Sequence, residues 1–340
     1  MRYFLFLSLL LLVPTLMHAS YKGPPSDNFD GNKFHNLAPS GKRKSLFSFL
    51  KLRPWRFNSS SEEKWEWREI QQIAPITLNT SENQLIFINH ATFLLKIDGA
   101  NILTDPIWSK RSGPFGRLGP SRVHNPGLKF EDLPNIDFVV ISHNHFDHMD
   151  LPTLKKLEKK FKPIFIVGLG NSRYLKFIDK DRLIELDWWK SISFSGLKIF
   201  FVPAQHWSFR GRFDMNESLW GGFFIQSSNN SVLFSGDTAE GPHFEMIRKK
   251  IGSPDLALIP IGAYLPREFM KPSHLGPSEA IDAFRALGAK KAIAMHFGTF
   301  PLGTDGPTQA SKELKLLLTE EDLSERFKIP FPGMIQYLDK

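Results

Sequence analysis

His143-Asn144-His145-Phe146-Asp147-His148, directly after the apolar run Phe138-Val139-Val140-Ile141, is the stretch from which the rest of this chain is read. Three imidazoles and one carboxylate fall within six residues, at the point where a buried strand should end. Imidazole suits zinc and other borderline divalent metals, and a carboxylate adds a hard, negative ligand. In an extended chain, side chains two apart share a face. His143 and His145 therefore reach one metal, while Asp147 and His148, past the bend, reach a second. A histidine-rich loop without catalytic role is the alternative.

Working outward, the other metal-capable side chains also close apolar runs. His206 follows Phe200-Phe201-Val202-Pro203-Ala204-Gln205, Asp237 follows Val232-Leu233-Phe234-Ser235-Gly236, and His296 follows Ile293-Ala294-Met295. Gly236 lets the backbone turn, and Thr238 is placed to fix the Asp237 carboxylate by a hydrogen bond. Each alone reads as a structural residue. Four strand ends each offering a ligand point to one site, because active-site residues collect on loops carried by rigid strands.

Between these points the pattern predicts strands over 84–89, 92–97, 100–104, 163–167, 197–202, 222–225, 231–234 and 292–295. It predicts helices over 151–161 and 277–287, the first with Leu151, Leu154, Leu157 and Phe161 near a 3.6-residue period. Strands, a helix, more strands and a second helix imply two sheets sandwiched between helices.

The 340 residues carry 41% hydrophobic and 23% charged side chains, ordinary for a folded globular chain. There is no cysteine, which excludes disulfides and thiolate metal sites, so any metal rests on His, Asp, Glu or water. Aromatics reach 13%, mostly Phe, and imply a large aromatic core or an apolar groove. Met1-Arg2 and the apolar run from Tyr3 to Met17, with Ala19-Ser20 behind, read as a signal peptide over 1–20, or as an uncleaved anchor. Export, or membrane association through this segment, is the expected localisation. Residues 21–64 read as an extension and 65–340 as the main domain. Within the extension, 42–57 interleaves six cations with Leu, Phe and Trp and suits either an anionic lipid surface or packing on the main domain. The net charge of +8 favours anionic partners, yet no nucleic-acid motif is present and no nucleic acid is expected.

The hexad, His206, Ser235-Gly236-Asp237-Thr238 and His296 together resemble the metallo-β-lactamase superfamily. Further segments resemble its N-acyl-phosphatidylethanolamine-hydrolysing phospholipase D family. These are Asn89-His90-Ala91-Thr92, Leu103-Thr104-Asp105-Pro106, Gln205-His206-Trp207-Ser208, Leu219-Trp220-Gly221-Gly222, Ile259-Pro260-Ile261-Gly262-Ala263-Tyr264 and His296-Phe297-Gly298-Thr299-Phe300. The likeness runs from about Ser26 to the C-terminus and is densest between Gln84 and Phe300. It implies an αββα fold, two mixed sheets between helices, and a dinuclear phosphodiesterase using two divalent ions, zinc by default. By that resemblance His143, His145 and His206 hold one ion, Asp147, His148 and His296 the other, and Asp237 bridges. Two ions and two carboxylates leave a net charge of about +2, which draws a phosphodiester and lowers the pKa of a shared water to about 7. The hydroxide would attack phosphorus in line, expelling the N-acylethanolamine from the phospholipid and leaving phosphatidic acid.

Asp105 and His90 are the candidates behind the ligands: Asp105 to fix an imidazole tautomer or to cap a turn, His90 to border the site or to sit in the core. With Asp147, His274 in Lys271-Pro272-Ser273-His274 is the candidate catalytic residue, because it matches a loop that in the family contacts the phosphate or the leaving group. A plain loop histidine is the alternative. The sequence departs from the mammalian-type pattern at Ser273, where those members carry Gln. Arg210 and Arg212 are candidates for an anionic headgroup or plain surface arginines; Trp188, Trp189 and Trp207 line a lipid groove or sit in the core. A lactonase or other carboxylic-ester hydrolase is the alternative enzyme, and a metal-retaining, non-catalytic lipid-binding scaffold the alternative of another class. A homodimer is among the partners considered.

Overall fold

The structure, a computed structural model, describes residues 21–39, 63–72, 82–194, 196–211 and 213–338. The expectations for 1–20, 42–57 and Arg212 lie outside the described residues. The first sheet is built from β1 (Gln84–Asn89), β2 (Thr92–Ile97), β3 (Ala100–Thr104), β4 (Phe138–Ile141), β5 (Ile164–Gly168) and β6 (Leu183–Leu186). The second comprises β7 (Ser191–Phe194), β8 (Leu197–Val202), β9 (Gly222–Gln226), β10 (Ser231–Phe234), β11 (Leu256–Pro260), β12 (Lys291–Met295) and β13 (Phe327–Lys328). The last strand, β14 (Ile335–Tyr337), returns to pair antiparallel with β1. Each sheet has seven strands, in the orders β14-β1-β2-β3-β4-β5-β6 and β13-β12-β11-β10-β9-β8-β7.

Both sheets repeat one plan. Antiparallel pairing runs through β1, β2 and β3 and then turns parallel through β4, β5 and β6. In the second sheet β7 to β10 are antiparallel and β10 to β13 parallel. The central parallel strands are buried on both faces, which explains why Phe138-Val139-Val140-Ile141 is apolar throughout. Alternation still sorts its residues: Phe138 and Val140 pack between the sheets, whereas Val139 and Ile141 pack on the outer side. In β12, Ile293 and Met295 face the inner layer and Ala292 and Ala294 the outer helices.

The outer layers are helical. α1 (Leu151–Phe161) sets Leu154 and Leu157 against the first sheet. α2 (His243–Lys250), the short α3 (Arg267–Met270), α4 (Pro277–Leu287) and α5 (Gln309–Glu320) follow, and α2, α4 and α5 cover the second sheet. α4 starts where the Glu279 carboxylate accepts the Gly276 N–H, and it ends at Gly288 in the left-handed region, φ 61°. Among the described residues no helix is long and apolar enough to cross a membrane.

The inner layer is strongly aromatic: Phe87, Phe93, Phe138, Phe201, Phe223, Phe234 and Trp220 are all buried there. Burying each such side chain contributes about 1.5–3 kcal/mol. Trp188 belongs to this core, its indole N–H donating to the Trp220 carbonyl at 2.6 Å, so it lines no groove. Trp189 packs partly buried against the core with the Lys250 ammonium over its ring at 4.8 Å. Residues 21–39 also reach the inner layer: Phe34 is fully buried, with Tyr21 and Phe29 against it.

Candidate metal centre

Five strands of the two sheets end at one place. β3 delivers Asp105, β4 the histidine hexad, β8 His206 after three intervening residues, β10 Asp237 and β12 His296. In open α/β sheets, sites form outside the carboxyl ends of the parallel strands, where successive loops converge. Gly236 makes the turn before Asp237, φ 62°; a Cβ there would lie 2.6 Å from the Gly221 carbonyl oxygen and 2.7 Å from Ser142 Cβ. His90, Asp105 and His296 hold left-handed φ values of 49°, 34° and 61°, strain of about 1–3 kcal/mol each that the surrounding packing must sustain.

The ligand-capable atoms form two adjoining groups. His143 Nε2 lies 2.8 Å from His145 Nδ1, and His206 Nε2 lies 3.3 Å from the same atom. In the second group Asp147 Oδ2 lies 3.2 Å from His148 Nε2 and 3.3 Å from His296 Nε2. Asp237 Oδ2 stands between them, 3.3 Å from His148 Nε2, 3.1 Å from His296 Nε2 and 3.8 Å from His206 Nε2. Two ligand atoms on a tetrahedral zinc, each about 2.0–2.1 Å from it, stand about 3.3 Å apart. Five of the seven spacings, 3.1–3.3 Å, fit that shell; His143 to His145 is tighter at 2.8 Å and His206 to Asp237 wider at 3.8 Å. The buried His148 Nε2, His296 Nε2 and Asp237 Oδ1 have no hydrogen-bond partner. Unsatisfied buried polar atoms call for an explanation, and divalent ions supply one. The donor set, imidazole and carboxylate throughout, fits.

The outward Nδ1 atoms of His143, His148 and His206 are tied down, whereas the outward His145 Nε2 and His296 Nδ1 are buried without a partner. His206 Nδ1–H donates to the Ser273 carbonyl at 2.8 Å, and His148 Nδ1–H donates to Asp105 Oδ2 at 2.6 Å. The Ser142 hydroxyl donates to Asp105 Oδ2 at 2.5 Å and accepts from His143 Nδ1 at 2.9 Å. Asp105 Oδ1 accepts the Ser142 N–H at 2.7 Å. Each bond fixes a tautomer whose Nε2 lone pair faces the centre. His90 is buried with Nε2 2.9 Å from Asp147 Oδ2, and it therefore holds the ligand-capable carboxylate. His274 lies beside Asp237 with its side chain 12% exposed, Nδ1 3.8 Å from Asp237 Oδ2.

Protonation follows the same geometry. Burial drives His143 and His206 well below the ordinary imidazole value, and His145 down to about 3. Burial likewise lowers His90 to about 3 and His274 to about 4. Burial would raise Asp147 and Asp237, but the histidines around them, His148 foremost, hold both well below the usual carboxylate range. For His296 the carboxylates Asp237 and Asp147 outweigh burial and raise it to about 9; His148 is raised well above its usual value in the same way. Those two protons stand where a cation is wanted, and metal uptake displaces them. Burial raises Asp105, against the bonds from His148 and Ser142.

Three sequence expectations are corrected. Thr238 does not bond Asp237; its hydroxyl accepts the Gln205 N–H at 2.9 Å and donates to the Ala239 carbonyl at 2.9 Å. Arg210 is not directed at a headgroup. Its guanidinium donates to the Asn144 and Met149 carbonyls at 2.9 and 2.8 Å and stacks on Phe146, bracing the hexad. Of the three tryptophans, Trp207 alone lies at the centre, its ring 4.5 Å from that of His145. Ser142 was not singled out, although it immediately precedes the hexad. Asn36, which bonds the main chain of His206, gave no signal, because the two lie 170 positions apart.

Residues 100–297 match the family described as the Beta-lactamase superfamily domain. The chain is 37% identical over 254 residues to the N-acyl-phosphatidylethanolamine-hydrolyzing phospholipase D 1 of Caenorhabditis elegans, covering 70% of this chain and 71% of that one. It is 32% identical over 249 residues to the mitochondrial enzyme of that activity from Saccharomyces cerevisiae, covering 71% of this chain and 53% of that one. Among solved structures, a metallo hydrolase from the archaeon Ignicoccus hospitalis superposes with a TM-score of 0.56 at 22% identity, over 75% of this chain and 97% of that one. With this fold and these relatives, the chain belongs to the metallo-β-lactamase superfamily of metal-dependent hydrolases, where it is similar to the N-acyl-phosphatidylethanolamine-hydrolysing phospholipases D.

Proposed function

We propose that this hydrolase is a dinuclear phosphodiesterase of the phospholipase D type, converting N-acyl-phosphatidylethanolamine and water to N-acylethanolamine and phosphatidic acid. The observation that carries the dinuclear reading is the position of Asp237 Oδ2 between two sets of inward-facing ligand atoms. His143, His145 and His206 would hold one divalent ion, Asp147, His148 and His296 the other, with zinc the default for this donor set. When bound, the pair supplies an ionised water and Lewis acidity toward a phosphoryl oxygen. Asp147, oriented by His90, and Asp237 keep the negative charge that such a pair requires. His274, lowered to about 4 by burial, is neutral at physiological pH and offers a hydrogen bond to the phosphate or the leaving oxygen. Trp207 lies beside the three-histidine group as an apolar flank. Similarity to the two phospholipases D supports the substrate class. The non-catalytic scaffold is set aside because the relatives are hydrolases.

Elemental analysis joined to a substrate panel tests this reading. The expected result is about two metal ions per chain and cleavage of N-acyl-phosphatidylethanolamine in mixed vesicles, with heavy-oxygen water labelling phosphatidic acid and not the N-acylethanolamine. Turnover of lactones or carboxylic esters with none of phosphodiesters would replace it with the lactonase reading. Export through the N-terminal apolar run and lipid contact through 42–57 are proposals of the same kind, tested by fractionation of the expressing cell.

A further inference from the structure

The N-terminal strap touches a ligand-capable residue. Phe34 anchors it in the aromatic core, and the Phe34 N–H donates to the Asn216 carbonyl at 2.8 Å. Two residues on, the Asn36 side chain meets the main chain of His206 on both sides. Its Nδ2 donates to the His206 carbonyl at 2.8 Å, and its Oδ1 accepts the His206 N–H at 3.1 Å. The same Oδ1 accepts the Trp220 indole N–H at 3.0 Å, while Gln205 Nε2 donates to the Ala38 carbonyl at 3.1 Å. A side-chain amide can mimic a peptide group in this way. It gives the His206 main chain the two bonds that a neighbouring strand would give, at a position where β8 has already ended at Val202.

His206 is thus held at three points: main-chain N–H and C=O by Asn36, and ring Nδ1 by the Ser273 carbonyl. The ring bond fixes its rotation; the amide fixes where its Cα stands. A displacement of a few tenths of an ångström there moves Nε2 out of reach of the His143 and His145 pair. We propose that Asn36 is a positioning residue for His206, so that the segment before the hydrolase domain completes the three-histidine metal subsite. Loss of the Asn36 contact loosens that subsite and not its partner. The proposal rests on His206 being a ligand.

The test is zinc binding to the purified full-length apoprotein, by competition with a chromophoric chelator, with zinc alone as the probe. Asn36→Ala is expected to weaken one of the two zinc equivalents by about 10–100-fold and leave the other unchanged. Asn36→Asp keeps the acceptor for the two N–H groups but turns a carboxylate toward the His206 carbonyl. It serves if the alanine variant does not fold, and an intermediate loss is expected. Ser26→Ala removes the strap's bond to Asp187, which touches none of the ligand-capable side chains, and wild-type affinity is expected. Wild-type binding in Asn36→Ala or Asn36→Asp overturns the proposal, and so does an equal loss in Ser26→Ala, which would reveal general loosening. His206→Ala, titrated alongside, separates the two failures: if it keeps both equivalents, the ligand assignment is wrong.

Discussion

Asp105 is the side chain whose replacement tests the architecture of the centre most sharply. It is fully buried and accepts three hydrogen bonds, from the Ser142 N–H, the Ser142 hydroxyl and His148 Nδ1–H. Asparagine has nearly the same shape but only one acceptor oxygen. With that oxygen on the Ser142 N–H, the new NH2 group faces Ser142 Oγ and His148 Nδ1. The serine hydroxyl rotates to accept; the imidazole must move its proton to Nε2. That proton then occupies the lone pair aimed at Asp147 and Asp237. Losing such an outer partner lowers metal affinity about 10–100-fold, which is about 1.4–2.7 kcal/mol. The loss should fall on the subsite of Asp147, His148 and His296. Because burial already raises the Asp105 carboxyl, its charge is costly to the fold, and removing that charge offsets part of the lost hydrogen bonding. Metal binding should therefore suffer more than folding. Calorimetric or chelator-competition titration of zinc, beside urea unfolding of the apoprotein, measures both. If Asp105→Asn binds two equivalents within twofold of wild type, the tautomer argument is refuted.

Asp147→Asn should reduce phosphodiester turnover by about 100-fold or more, since one ligand charge is lost; retained initial rates would contradict its role. Gly236→Ala forces a methyl against the Gly221 carbonyl and Ser142 in a left-handed turn, and should destabilise by about 3 kcal/mol or more. A loss of unfolding free energy smaller than about 1 kcal/mol, from urea titration, would contradict that packing. Phe34→Ala should cost about 3–5 kcal/mol because the ring is fully buried between the sheets, read as a lowered urea midpoint at unchanged slope.

The centre was legible because its chemistry is concentrated. Four ligand-capable side chains lie within one hexad, and His206, Asp237 and His296 each close an apolar run that alternation identifies as a strand. β1, β2, β3 and β4 occupy the short apolar runs that mark them in the sequence, and α1 the residues that its 3.6-residue period assigns. β6, β7, β11, β13, β14, α2, α3 and α5 are not assigned by the sequence pattern; β6 and β7 are partly exposed without alternation, and β11 is a short, wholly buried run that periodicity does not mark. What stayed hidden is contact between distant positions. Thr238 sits next to Asp237 in sequence, yet its hydroxyl turns to Gln205 and Ala239, because the turn at Gly236 sends the two side chains apart. Arg210 follows His206 closely, yet the carbonyls of Asn144 and Met149 capture it. Asn36 lies in a stretch of turn residues whose one buried anchor, Phe34, looks locally like any other phenylalanine.

Each of the two proposed metal subsites is split across the two sheets. His143 and His145 leave the first and His206 the second; Asp147 and His148 leave the first, Asp237 and His296 the second. Neither half of the polypeptide, folded by itself, would assemble either of those two subsites in full. On the proposed dinuclear reading, metal would load only after the aromatic layer has closed, and would then rivet one half of the molecule to the other. Chelation should then do more than silence the enzyme: it should lower the free-energy barrier to parting the sheets.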